Sequence, residues 1–435
     1  MNNFEVFIGF DFGTSFSKIC YTVNGDLYVY KKNGSPFIPT EIYYSIDDKE
    51  IYINKDVYTK RLIPVKYFKY SMVFEPIINK QIKDALPSNL TYQQINILFS
   101  IYFLACTIKE IKQIIKDKYK NINDILWEIN MSAPINDYSG EIYDLYYNVL
   151  NSAYILSDDI QLNKIHINLI NEIYNNVKKG ISKKNDVLSI HPELFVEAVY
   201  FTNNNLHGLD YGSYMVMDIG GGTVDIGILW KRKWDNNIIY DLVVINILKY
   251  GLERFIDELK NMGIKEQDIN DILKYGKHNE MTITIKNYFK KNLEKMISIE
   301  EKTPKAGIDD IINKRIYYTG GGCKLFWYKN ILSSIDNKIT EDEIQINLLP
   351  LNYDNSHHDV HRLIIAIELA RPVDTIKKNL GSTKIINADK IITGEDFTEI
   401  EVKETNIGSP KITKINWTYN DLQDRQKELY GDDPI

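Results

Sequence analysis

Two short segments of the chain each place an aspartate and a glycine-rich turn at the end of an apolar run. The first segment reads IGFDFGTSFSK and contains Asp11, and the second reads VMDIGGGTVDIGIL and contains Asp218. Glycine lets the backbone turn sharply and approach a ligand closely, so that amide N–H groups can point at phosphate oxygens. A carboxylate beside such a turn suits Mg²⁺, which keeps several waters and is held by carboxylates and phosphates. The pattern therefore predicts phosphate chemistry with a divalent cation.

Small and hydroxyl-bearing residues in these turns are the candidates for contacting phosphate oxygens. They are Gly13, Thr14, Ser15 and Lys18 in the first turn, and Gly220, Gly221, Gly222 and Thr223 in the second. Asp11 and Asp218 are the candidates for holding Mg²⁺ through waters. A third glycine run, Gly320-Gly321-Gly322, follows another apolar strand. One such turn alone is equally well explained as a plain hairpin, but three in this order favour a common ligand.

The segments around the two aspartates form an internal repeat. After the first turn, residues 18–23 and 27–30 alternate like two strands joined by a tight Asn24-Gly25 turn. After the second turn, residues 224–230 and 240–248 follow the same pattern. A repeat of this size predicts two like α/β domains. Helical periodicity is predicted for 92–119, 140–154, 192–201, 252–262, 266–274 and 285–297, and further strands for 125–132 and 315–318.

Composition excludes several classes of protein. The 435 residues are 44% hydrophobic and 26% charged, which is typical of a globular protein, and the net charge is −7. The sequence has no basic stripe, so direct binding to nucleic acid or to an acidic membrane is not expected. The three cysteines are widely spaced, which indicates a reducing compartment, and no signal peptide is recognised, so a cytoplasmic location is expected. Charged residues interrupt the apolar stretch 95–115, which favours an amphipathic or buried helix over a membrane span.

The three glycine-rich motifs resemble those of a known superfamily. IGFDFGTSFSK is similar to the first phosphate motif of the actin, hexokinase and DnaK-type chaperone superfamily, VMDIGGGTVDIGIL to its second phosphate motif, and YYTGGGCKL to its adenosine motif. The order and spacing match up to about Arg371. The resemblance implies two actin-like domains, each a mixed five-stranded sheet with flanking helices, around a central cleft for ATP or ADP with Mg²⁺. In the adenosine motif it implies nucleotide contacts for Gly320, Gly321, Gly322 and Lys324.

Several stretches resemble the chaperone branch of this superfamily. PVKYFKYSM is similar to the segment with a catalytic lysine, which implies that role for Lys69, with Lys66 as the alternative. HPELFVEAVYF occupies the place of the first connecting helix, where a carboxylate orients the attacking water. The resemblance assigns this carboxylate to Glu193, with Glu197 as the competing candidate, although the family usually has Glu-Pro where Pro192 precedes Glu193 here. RLIIAIELA resembles the second connecting helix, with Ile and Glu where the family has small residues.

The implied catalytic residues are Asp11, Lys69, Glu193 and Asp218. The expected domains are 1–200, with the first phosphate motif, 201–372, with the second phosphate and adenosine motifs, and a short extension, 373–435. This extension is too short for the peptide-binding region of the chaperones. The resemblance thus implies a slow, chaperone-like ATPase switch without a standard substrate-binding domain, working with a protein client or a co-chaperone-like partner.

Three alternatives to the chaperone-like switch stay open at this point. The first alternative is a protein that self-associates into filaments with ATP, because residues 251–277, GLERFIDELKNMGIKEQDINDILKYGK, resemble plasmid-segregating bacterial actins. A small-molecule kinase is the second, although no motif for a substrate base is visible. A pseudo-ATPase that binds nucleotide as a structural element is the third.

Overall fold

The structure is a computed structural model. It describes residues 4–54, 62–74, 80–84, 90–120, 122, 124–134, 140–158, 163–180, 185–203, 212–234, 237–277, 280–302, 315–323, 325–328, 340–341, 362–378 and 392–393. Of the expected C-terminal extension, 373–435, only 373–378 and 392–393 lie within these ranges, and the predicted nucleotide-binding residue Lys324 lies outside them.

The described residues form strands and helices in both units. The strands are β1 (Phe4–Asp11), β2 (Phe16–Val23), β3 (Asp26–Val29), β4 (Ile38–Pro39), β5 (Ile42–Ser45), β6 (Glu50–Tyr52), β7 (Ile63–Val65), β8 (Ile125–Ala133), β9 (Lys164–His166), β10 (Leu188–Pro192), β11 (Gly212–Ile219), β12 (Thr223–Trp234), β13 (Asn237–Lys249), β14 (Arg315–Thr319), β15 (Thr340–Glu341) and β16 (Ile392–Thr393). The helices are α1 (Phe68–Val73), α2 (Lys80–Asp84), α3 (Tyr92–Lys118), α4 (Glu141–Ser157), α5 (Ile167–Lys178), α6 (Glu193–Asn203), α7 (Leu252–Asn261), α8 (Glu266–Tyr275), α9 (Glu280–Lys302), α10 (Ile364–Leu369) and α11 (Val373–Lys378).

The chain divides into two compact units. The first comprises Met1–Asn204, Leu349–Asn352 and Leu363–Thr383, and the second comprises Asn205–Leu348, Tyr353–Arg362 and Lys384–Ile435. The expected boundaries of the two actin-like domains, at residues 200 and 372, stay a prediction.

The main sheet of the first unit has the strand order β10-β8-β1-β2-β3, and β4 pairs with β2. β1, β2 and β3 form an antiparallel meander, whereas β8 and β10 run parallel to β1. The carboxyl ends of parallel strands meet at one edge of a sheet. Asp11, Ala133 and Pro192, the last residues of β1, β8 and β10, therefore share an edge. A second sheet, β7-β5-β6-β9, completes this unit.

Helix α3 is the central helix of the first unit. It begins with a capping box, in which Gln94 N–H donates to Thr91 Oγ1 at 3.1 Å and Thr91 N–H donates to Gln94 Oε1 at 2.8 Å. By length and composition α3 could cross a membrane, but 83% of its most apolar 18-residue stretch is buried within the protein. It packs on α1, α4 and α5, so its apolar surface forms part of the core.

Helix α10 packs directly on the sheet of the first unit at Gly9. A Cβ at this position would lie 2.3 Å from the Ala366 carbonyl oxygen and 2.4 Å from the Ala370 amide nitrogen. The sequence placed Ile and Glu on α10 where small residues were expected. That expectation concerned the crossing of the two connecting helices, whereas Gly9 on β1 permits the close approach of α10 to the sheet.

The sheet of the second unit has the order β15-β14-β11-β12-β13-β16. β11, β12 and β13 form an antiparallel meander, and β14 and β15 run parallel to β11. The core contains an aromatic cluster in which the rings of Phe255 and Trp327 have centroids 4.2 Å apart. The run β14-β11-β12-β13 repeats the order of β8-β1-β2-β3, as the internal repeat in the sequence predicted. The prediction of a mixed α/β fold is confirmed.

Candidate functional site

The first glycine-rich loop joins β1 to β2 and is held by a residue from outside its own hairpin. Thr40 Oγ1 donates a hydrogen bond to the Gly13 carbonyl at 2.9 Å, and the Thr40 amide donates to the Ser15 carbonyl at 2.8 Å. A Cβ at Gly13 would lie 2.1 Å from the Phe16 carbonyl oxygen, so the turn requires glycine. Sequence reasoning missed Thr40, because it lies 27 residues from Gly13 and no spacing rule connects them.

A short ion pair lies at the entrance to this loop. Asp11 and Lys18 are opposite each other in the antiparallel register of β1 and β2, and Lys18 Nζ lies 2.6 Å from Asp11 Oδ2. Asp11 is buried, with 3% of its surface exposed. The predicted Mg²⁺ residue and a predicted phosphate residue thus neutralise each other, because a buried carboxylate requires a partner.

A second ion pair joins residues that are 124 positions apart. Lys69 on α1 donates from Nζ to Glu193 Oε1 on α6 at 2.7 Å, and both side chains are buried. The Lys69 ammonium also lies 5.8 Å from the centroid of the Phe12 ring, next to Asp11. The structure therefore brings together the two residues that the resemblance assigned to charge stabilisation and water orientation, and it places them beside the first loop.

The surroundings of Lys69 keep its ammonium charged. Burial on its own would lower the pKa of Lys69, but the nearby Glu193, Tyr146 and Asp11 oxygens together raise it above the ordinary value of 10.5. Lys66, the alternative from the same tract, has a different position: its side chain is 40% exposed and pairs with Glu41 at 3.0 Å. Of the two lysines, only Lys69 is paired with Glu193.

The position of Glu193 follows from the proline before it. β10 ends at Pro192 and α6 begins at Glu193, so the carboxylate is in the first turn of the helix. A carboxylate there is stabilised by the helix dipole. Glu197, the competing candidate, is one turn further along α6 and is also buried. The Lys69 contact distinguishes Glu193 from it.

The second glycine-rich loop joins β11 to β12 and is bound to the start of α7. The amides of Gly251, Leu252 and Glu253 donate to the carbonyls of Gly222, Gly220 and Gly221 at 3.2, 2.8 and 2.9 Å. The first amides of a helix have no partner within the helix, and here the loop carbonyls satisfy them. Three carbonyl oxygens of this loop therefore face α7.

The third glycine run packs against the second loop. The Gly322 amide donates to the Ile219 carbonyl at 3.0 Å. Gly320 has a φ of +80°, and a Cβ there would lie 2.1 Å from Asp218 Oδ1. Arg362, to which sequence reasoning gave no role, is in van der Waals reach of Gly321. The predicted residues Asp218, Gly220–222, Thr223 and Gly320–322 thus lie in one region of the second unit.

The predicted site residues form two groups, one in each unit. Asp11, Gly13, Thr14, Ser15, Lys18, Lys69 and Glu193 are in the first, and Asp218, Gly220–222, Thr223 and Gly320–322 are in the second. Within the described part of the chain, no group of three or more His, Cys, Asp and Glu side chains is arranged to hold a metal directly. Coordination of Mg²⁺ through waters on Asp11 and Asp218 stays a prediction.

Comparison with known proteins gives one short similarity. A stretch of 51 residues is 39% identical to the movement protein Hsp70h of Beet yellows virus (isolate Ukraine), and it covers 12% of this chain and 8% of that protein. No protein-family model matches the chain. The similarity indicates at most a distant relation to Hsp70-type proteins over a short segment.

Proposed function

We propose that this chain binds ATP with Mg²⁺ and hydrolyses it slowly, as a chaperone-like conformational switch built from two actin-like domains. The observation that carries the proposal is the buried Lys69–Glu193 pair beside the Asp11 loop. A buried ion pair is weak evidence for stability, because well-packed apolar residues would serve as well. Its position next to a glycine loop and a second charged pair favours a role in chemistry.

The first loop fits a phosphate group. Ser15 Oγ is buried and has no hydrogen-bond partner among the described residues, so it can donate to a ligand oxygen. Two lysines, Lys18 and Lys69, supply positive charge within reach of the same loop. A phosphate with its bound Mg²⁺ would also give the Asp11 carboxylate a partner other than Lys18.

Exchange of ion-pair partners is the expected mechanism. In the free protein Lys18 and Lys69 neutralise Asp11 and Glu193. When phosphate oxygens enter, the two lysines turn to them, because a phosphate carries more negative charge than a single carboxylate and binds the ammonium groups more strongly. Asp11 would then be free to hold waters of the cation, and Glu193 would accept a hydrogen bond from the attacking water and orient it. Bound Mg²⁺ neutralises phosphate charge, which is most of what phosphoryl transfer requires.

The chaperone-like form of the proposal rests on two observations. The Lys69–Glu193 pair has the residue types that the chaperone resemblance assigns to hydrolysis, and the short similarity is to a protein named for Hsp70. A protein client or co-chaperone-like partner and a cytoplasmic location belong to this proposal. Self-association into filaments is the outcome that would favour the bacterial-actin alternative.

The test is ATP hydrolysis by the purified chain with Mg²⁺, compared among Lys69→Met, Glu193→Gln and Lys66→Met. Lys66→Met is the matched control, since it removes a nearby lysine that pairs with Glu41 instead. We expect the first two variants to lose about 100-fold or more of the turnover rate, because positioning and charge supply most of this catalysis. The Lys66 variant should keep the rate of the unmodified chain.

Light scattering in the same cuvette separates the alternatives. Slow turnover without scattering supports the switch, whereas scattering that depends on ATP supports filaments. Binding without turnover in the unmodified chain would indicate a pseudo-ATPase. Equal hydrolysis rates in the Lys66→Met and Lys69→Met variants would contradict the catalytic role of Lys69. Absence of nucleotide binding by the unmodified chain would overturn the proposal.

A further inference from the structure

A buried polar network lies beneath the strand that leads to Glu193. Asn130 on β8 is fully buried, and its Nδ2 donates to the carbonyls of Leu369 and Arg371 at 3.1 and 2.9 Å. The first carbonyl is that of the last residue of α10, and the second lies in the turn between α10 and α11. On its other side, Asn130 Oδ1 lies 3.3 Å from His191 Nε2. One side chain thus contacts both the turn and β10.

Two neighbours complete the attachment of this turn. Glu128, two residues before Asn130 on β8, accepts a hydrogen bond from the Val373 amide at 2.6 Å, and its Oε1 also accepts from Asn130 Nδ2 at 3.1 Å. Thr22 on β2 donates from Oγ1 to the Ala370 carbonyl at 2.5 Å. The last carbonyls of a helix have no partner inside it, and here strand side chains satisfy them. Hydrogen bonds with side chains of β2 and β8 therefore fix the turn to the sheet, and a shift of the turn would break them.

The path from Asn130 to the candidate catalytic pair is short and stiff. His191 is fully buried and lies opposite Ser132 in the parallel register of β10 and β8. Only Pro192 separates it from Glu193, and proline fixes its own φ, which removes one of the backbone rotations between the two residues. Glu193 in turn holds Lys69 at 2.7 Å. A displacement of His191 must therefore be passed to Glu193.

We infer that Asn130 is a positioning residue that couples the α10–α11 turn to Glu193 through His191. The inference rests on the proposed ATPase function and adds a positioning role: the α10–α11 turn fixes the orientation of Glu193 through Asn130 and His191. The hydrogen bonds of the Asn130 side chain are to Glu128, Leu369, Arg371 and His191. Among the described residues, none of them reaches Lys69 or the first glycine-rich loop. Its effect is on hydrolysis, not on nucleotide binding.

The variants separate this coupling from simple loosening of the turn. Asn130→Leu and His191→Leu break the path, and His191→Gln keeps a side-chain amide that can still hydrogen-bond to Asn130. Thr22→Val is the matched control, since it releases the same turn from β2, a strand that does not lead to Glu193. In single-turnover hydrolysis we expect Asn130→Leu and His191→Leu to be about 10- to 100-fold slower, as for a misplaced catalytic group. Affinity for ATP should stay within about threefold, and His191→Gln and Thr22→Val should stay near the unmodified rate.

Hydrogen exchange provides a readout that needs no nucleotide. Exchange of α6 amides should be faster in Asn130→Leu and His191→Leu than in the unmodified chain. Val196 on α6 also packs on Ile365 and Leu369 of α10, so Thr22→Val should speed exchange mainly in α10 and α11 and should change α6 exchange less than either of the other two variants. The double variant Asn130→Leu/His191→Leu should be no slower in hydrolysis than the slower single variant, because both act on one path.

Two results would overturn the inference. One is a Thr22→Val variant that is as slow as Asn130→Leu, which would mean that any release of the turn suffices. The other is unchanged α6 exchange in both Asn130→Leu and His191→Leu. If the unmodified chain fails to bind ATP, the proposed function fails, and the exchange measurement alone still decides whether the turn and α6 are coupled.

Discussion

The two glycine-rich hairpin loops are held in place by different means, although their sheets share a strand order. In the first unit the loop borders two ion pairs, Asp11–Lys18 and Lys69–Glu193. In the second unit the loop borders backbone: its carbonyls accept from the start of α7, and Gly320 packs against Asp218. Thr40 fixes the backbone of the first loop as well, so the difference lies in the neighbours: charged side chains border the first loop, and backbone borders the second.

This difference indicates which loop can respond to a ligand. An ion pair can exchange one partner for a ligand of the same charge at little cost in packing. Backbone that is packed with glycine at contact distance has no such alternative, because a small shift produces overlap. We therefore expect the first loop to rearrange on nucleotide binding and the second to act as a fixed surface.

The largest expected effect is on the stability of the charged pair in the first unit. Lys69→Met or Glu193→Leu should each lower the free energy of unfolding by about 3–5 kcal/mol, because each leaves an uncompensated buried charge. The double variant Lys69→Met/Glu193→Leu should lose less than either single variant, since it leaves no lone charge. Urea denaturation of the four proteins measures this, and additive losses would show that the two side chains do not depend on each other.

The next effect concerns the packed glycines of the second unit. Gly320→Ala should destabilise by about 2–4 kcal/mol, from a positive φ together with overlap with Asp218. Gly263→Ala is the matched control, because Gly263 has a φ of +79° in the same unit and nothing lies within 4 Å of its Cβ position. Denaturation midpoints of the two variants are compared. Equal losses would mean that backbone strain, and not contact with Asp218, explains the need for glycine.

Local features of the fold could be predicted from the sequence, because they depend on neighbouring residues. The hairpins and their repeat follow from alternation and turn residues, and α3 follows from a long apolar periodicity. The sequence does not predict α5 clearly, because its segment is rich in Asn and Lys. Its buried Ile167, Ile170, Tyr174 and Val177 nevertheless have helical spacing.

Long-range contacts of the site could not be predicted from spacing. The roles of Lys69 and Glu193 were expected only through a family resemblance, and their contact was not predicted, since 124 residues separate them. Thr40 and Asn130 were missed, because their partners lie on distant segments. One signal was present for Asn130: Glu128, Asn130 and Ser132 alternate along a strand predicted to be buried, which indicates a polar face with partners.

The smallest effect is the pH dependence of the charged pair, and it sharpens the comparison because the glycine contacts carry no charge. The pKa of Lys69 is raised above its ordinary value of 10.5 in the folded protein. Its contribution to stability is therefore fully present below that pH and is lost as the pH rises toward the folded-state pKa. This contribution therefore falls between about pH 9 and pH 11. Buried tyrosines such as Tyr102, whose pKa is raised mainly by burial, also make the folded protein less stable as the pH rises.

The experiment therefore compares the loss of stability between the two pH values in the unmodified chain and in Lys69→Met/Glu193→Leu, measured by urea denaturation. The unmodified chain should lose more stability than the double variant, while Gly320→Ala should lose as much as the unmodified chain. Equal losses in the unmodified chain and the double variant would mean that Lys69 is not held charged by Glu193.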